Sequence, residues 1–126
     1  EFTAHQFVRW REDTSNFIAI QLGTNTGNGG RYLVQQRDGG TNDSVASGIV
    51  FTTGVNVSFN IASRHGSTFV NGAVSGTALT ADTTPTALPD LSGTDLEIAF
   101  DFMGTIRQFV QYDADIGDTG LEEATS

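Results

Sequence analysis

The chain has 126 residues, enough for one domain that buries about two-thirds of its unfolded surface and holds a core unaided. A formal charge of −9, with six Arg and no Lys, opposes contact with phosphate backbones and anionic lipid, so neither nucleic acid nor a membrane surface is expected as a partner. The lack of Cys excludes disulfides and thiolate metal sites, and no run approaches the roughly twenty apolar residues of a membrane-spanning helix.

Nine Phe, fifteen Gly, two Pro and abundant Thr, Ser, Asn and Val favour an all-β chain. The first residue is Glu1 and strand-like sequence begins at once, so residues 1–126 are expected to be one domain of a longer polypeptide. The first predicted strand is Phe2 to Trp10, with Phe2, Ala4, Val8 and Trp10 on one side, and "REDTSN" turns the chain into a second, Phe17 to Leu22. There Ile18, Ile20 and Leu22 share a face. "GTNTGNGG", Gly23 to Gly30, reads as a loop, Tyr32 to Gln36 as a third strand, "RDGGTNDS" as a flexible turn, and Ile49 to Phe51 as a short fourth strand.

Val55, Val57, Phe59 and Ile61 alternate with Asn56, Ser58, Asn60 and Ala62 at the period of a half-buried strand. "SRHGS" reads as a turn, which places His65 on the surface. A second run from Ser67 to Val70 leads into Asn71-Gly72, a pair suited to the two positive φ values of a type I′ hairpin turn. "TADTTPTALPDLSGTD" holds Pro85 and Pro89, lacks periodicity and reads as a long crossing loop. Leu96 to Phe100 and Thr105 to Tyr112 complete the strands, and "GLEEATS" suggests a helical turn. The predicted core is Val57, Phe59, Ile61, Phe69, Ile98, Phe100, Ile106 and Val110. Short strands divided by turn clusters predict a two-sheet antiparallel, jelly-roll-like β-sandwich.

Three spaced features carry a family resemblance: "VSFN" before a hairpin with Phe69-Val70-Asn71-Gly72, the run from Gly104-Thr105-Ile106 to Tyr112, and the trailing Gly120-Leu121-Glu122-Glu123. In this order they resemble the C-terminal half of laminin-G-like domains, within the concanavalin-A-like lectin and glucanase superfamily. The likeness spans roughly Gly54 to Ser126 and is most like the versions found in bacteriophage tail, fibre and other virion-surface proteins. It implies a β-sandwich, a virion-surface or extracellular location, oligomeric partners and, in some relatives, bound glycan or Ca²⁺.

Glucanases of that superfamily set E-x-D-x-E on one strand, so that alternate carboxylates meet in a cleft as nucleophile and acid. The triplet does not occur here, and Asp95, Glu97 and Asp101 fit a solvated sheet face better. His5 and His65 belong to no nucleophile pattern and no usual zinc spacing. "DADIGD" gathers Asp113, Asp115 and Asp118, which could hold a structural Ca²⁺ or place negative charge at a helix start; it lacks the EF-hand offsets. Trp10, with Tyr32 and Tyr112, could stack a sugar ring or pack in the core, and Asn25 and Asn28 could bond a glycan. Arg9, Arg11, Arg31 and Arg37 are interface candidates, or else balance local acids. The expected function is a non-enzymatic structural or adhesion domain of a virion, held among other subunits and without a cofactor. The alternatives are an autonomous carbohydrate-binding lectin module and a divergent glucanase.

Overall fold

The computed structural model describes residues 4–24, 29–53, 55, 57–100 and 104–126. Two antiparallel sheets face each other, as the alternating runs predict. The larger contains β1 (Ala4–Arg11), β2 (Phe17–Gly23), β3 (Arg31–Asp38), β4 (Thr41–Ile49) and β8 (Leu96–Ile98), in the order β4-β3-β2-β1-β8. The smaller contains β5 (Ile61–His65), β6 (Val70–Val74) and β7 (Thr77–Ala78), in chain order. A helix, α1 (Gly117–Thr125), packs on the smaller sheet and buries Leu121 and Thr125. It is a full nine residues, longer than the single turn suggested by "GLEEATS".

Turn chemistry sets the registers. Between β1 and β2, Asp13 accepts hydrogen bonds from the backbone N–H groups of Ser15 and Asn16 and closes the loop. Gly39 and Gly40, at φ +52° and +88°, join β3 to β4 in a two-residue turn. Only those two residues of "RDGGTNDS" turn; Arg37 and Asp38 end β3 and Thr41 to Ser44 begin β4, which runs nine residues where a short strand at Ile49 to Phe51 was expected. The large alternating buried side chains expected of a core strand are absent from "TNDSVASGI", which hides β4 from a hydropathy reading.

The next hairpin differs from expectation in register and in tip. The strand predicted over Val55 to Ile61 lies instead at Ile61–His65, and Val57 is exposed. Asn71-Gly72 is not a turn: Gly72 pairs with Ser63 and Asn71 with Arg64 in the middle of β6. The tight turn is Ser75-Gly76, at φ 47° and 79°, between paired Val74 and Thr77. Gly72 is glycine for space, since a Cβ there would stand 2.7 Å from Val34 Cγ2 and 2.9 Å from Tyr32 Cε1 on the facing sheet.

The core joins Phe7, Val8, Leu22, Tyr32, Val34 and Val45 of the larger sheet to Val70 and Val74 of the smaller. Buried Tyr32 also donates its hydroxyl to the Ala62 carbonyl at 2.7 Å, tying one sheet to the other. Of the predicted core, Phe59 and Ile61 pack against this cluster half-buried and Phe69 is half-buried, whereas Val57, Ile98, Phe100, Ile106 and Val110 are exposed. The crossing loop after β7 matches its prediction. It pairs Asp82 with Val70 and supplies the Ala87 carbonyl to Gln36 and the Thr94 carbonyl to Trp10. The predicted strand over Thr105 to Tyr112 does not form: those residues lie outside any helix, turn or ladder, and all are exposed.

Candidate functional site

Strand alternation puts Val8 and Trp10 on the inner face of β1 and Arg9 and Arg11 on the outer. Arg9 pairs across the sheet with Ala19, which pairs with Gln35; Arg11 pairs with Phe17, which pairs with Arg37. Arg31 shares the outer side of β3 with Gln35 and Arg37. The four arginines named from the sequence therefore share one sheet face.

Their commitments differ. Arg9 forms an ion pair with Glu97 at 2.6 Å, and its guanidinium lies over the Phe100 ring. Arg11 donates to the Asp13 carbonyl, while Arg37 donates to the Gly40 and Thr14 carbonyls at 2.9 and 3.1 Å. Between them runs an amide ladder: Gln21 Nε2 donates to Gln35 Oε1 at 2.6 Å, and Gln35 Nε2 donates to Asn42 Oδ1. This ladder was missed in the sequence because its three amides lie in separate strands; only the cross-strand register brings them together. At one margin an open depression of about 560 Å³ is lined by Arg9, Arg11, Glu12, Asp13, Asp95 and Glu97. The Asp13 carboxyl is held below its usual range by the Ser15 and Asn16 N–H groups it accepts from.

The other candidates do not join this face. Trp10 is half-buried and donates its indole N–H to the Thr94 carbonyl at 3.0 Å; Tyr32 is buried and Tyr112 exposed, so the three make no stacking platform. Burial raises the Tyr32 phenol well above its ordinary range. Asn25 and Asn28 lie outside the described residues.

The acidic turn also departs from the pattern of an ion cage. Arg64 projects from β5 with its side chain largely covered; its Nε donates to Asp115 at 2.6 Å and its Nη1 to Asp118 at 2.5 Å. Asn71 adds a 2.8 Å bond to Asp118, while Asp113 takes no part. Among the described residues no group of three or more His, Asp or Glu side chains is disposed to hold a metal ion. The hydrogen bond from Arg64 is the main reason the Asp115 carboxyl sits below its usual range. The cluster fastens α1 to the small sheet. His65, expected on an exposed turn, ends β5 with both ring nitrogens shielded from solvent and without hydrogen-bond partners.

A scan of protein-family models finds no match to the chain, and neither curated proteins nor solved structures return one.

Proposed function

We propose that this chain is a non-enzymatic structural and adhesion module of a larger assembly, of the virion-surface kind its sequence resembles, and that it works through surfaces presented to other protein chains. The observation that carries this reading is the exposed, apolar run from Thr105 to Tyr112, where Ile106, Phe109, Val110 and Tyr112 each leave between 36% and 54% of their surface in solvent. Exposed apolar groups in such a run favour a covering partner. The outer sheet face supports it in a second way. Arg9 and Glu97 already neutralise each other, which leaves a guanidinium-and-amide surface fitted to polar contact.

A second reading, glycan binding, rests on the Gln21-Gln35-Asn42 ladder, because planar amides on a flat face suit sugar hydroxyls. One assay separates the readings. The domain is incubated with β-glucans and host-surface polysaccharides while reducing ends and equilibrium binding are measured. The proposal expects neither; hydrolysis overturns it, and tight binding abolished by Gln35→Ala puts the glycan reading in its place.

A further inference from the structure

Two unsatisfied strand elements stand out among the described residues. The first is the segment 105–112, "TIRQFVQY", in which Ile106, Val110 and Tyr112 fall on one face at a strand's two-residue period, with Gln108 between them and Phe109 on the other face. Among the described residues no hydrogen bond, ion pair or ring contact involves any part of it. The second is the free edge of β4, a strand hydrogen-bonded along one side to β3 and ending the sheet on the other.

β4 is a poorly guarded edge. It runs nine residues with no Pro, Lys or Arg, and Asp43, its single charged side chain, is buried and accepts from the Thr86 N–H. Long edges without exposed charge are the ones that recruit further strands, and the one register irregularity of β4 lies toward its end, between Ala46 and Ile49. Ile49, at the end of β4, leaves 75% of its surface exposed, apolar area an added strand would cover. The lengths also agree, eight residues against nine. The other edge of the large sheet, β8, spans only three residues and offers too short a template.

We infer that the segment 105–112 of one copy adds to the free edge of β4 in a second copy, extending the large sheet between molecules. Backbone hydrogen bonds supply affinity in such strand addition, and alternate side chains supply register. Ile106, Val110 and Tyr112 would continue the inner face beside Val45, while Arg107 and Phe109 would continue the outer face beside Ser44. Charge favours the pairing locally: the segment carries Arg107 and no acid, whereas the whole chain carries −9. The inference deepens the assembly reading and rests on it, naming both the segment and the partner.

The experiment uses the whole chain in sedimentation velocity over a dilution series, together with Val110→Pro and chemical cross-linking. Proline at 110 removes an N–H that has no hydrogen bond among the described residues, so circular dichroism should be unchanged. The wild type should double its mass or more on concentration, while V110P remains a monomer. Because the chain has no Cys, a short bismaleimide applied to mixed S44C and F109C proteins should give a heterodimer, and S92C with F109C should give none. A synthetic peptide of residues 104–113 should return the wild type to monomer. A wild type that stays monomeric, or a V110P that assembles like it, overturns the strand-addition inference. The glycan assay, which does not depend on self-association, decides the assembly reading separately.

Discussion

His65 makes the sharpest demand at the level of a single residue. Both ring nitrogens are shielded and unpartnered, and burial lowers the imidazole from its ordinary 6.5 to about 4. The folded chain therefore keeps His65 neutral while the unfolded chain binds a proton as pH falls below 6.5. Stability from this group is intact above that value and is lost between 6.5 and 4, a difference of roughly 3 kcal/mol if no other group compensates. Urea denaturation at a series of pH values should show the loss, and His65→Gln should flatten it. Gly72 tests packing. Gly72→Ala should cost about 1–3 kcal/mol through overpacking against Val34 and Tyr32, read as a lower melting temperature. A valine there should cost more, for want of space and not because of positive φ.

At the level of elements, the hairpin register can be tested at its tip. Ser75 holds φ 47° without being glycine, a conformation asparagine tolerates better, so Ser75→Asn should raise the melting temperature slightly. Gly76→Val, forced to φ +79°, should lower stability by about 1–2 kcal/mol, again by denaturation. The attachment of α1 depends on Arg64, but Asp115 and Asp118 are about half exposed and can rehydrate. Arg64→Met should cost about 1 kcal/mol, and less at high salt.

These elements also show what the sequence could reveal. The strands of the first half were legible because large side chains alternate there with polar ones, as in Ile18, Ile20 and Leu22. β4 was hidden because its buried positions are Asp43, Val45 and Ser47, which local hydropathy does not distinguish from a turn. Asn71-Gly72 misled for a physical reason: the pair satisfies a type I′ turn, but buried Asn71 instead bonds Asp118, and Gly72 clears a close sheet contact that no local rule anticipates. The four outer arginines could be named as candidates from composition, yet their common face follows only from register. The segment 105–112 has much of the pattern of a strand but pairs with no strand among the described residues, so its pattern was legible and its pairing was not.

For the whole molecule, the sandwich is closed by a small core, an inter-sheet hydroxyl bond and a crossing loop, while several apolar side chains remain outside, four of them in the run 105–112. In the proposed assembly, the run 105–112 is completed by another chain. Amide hydrogen exchange, followed by mass spectrometry in dilute and in concentrated protein, tests it most directly. Amides of residues 105–112 should exchange without protection in dilute solution and become protected together with β4 on concentration. Protection of 105–112 that is already complete in the dilute monomer would place the strand within its own chain and contradict the claim.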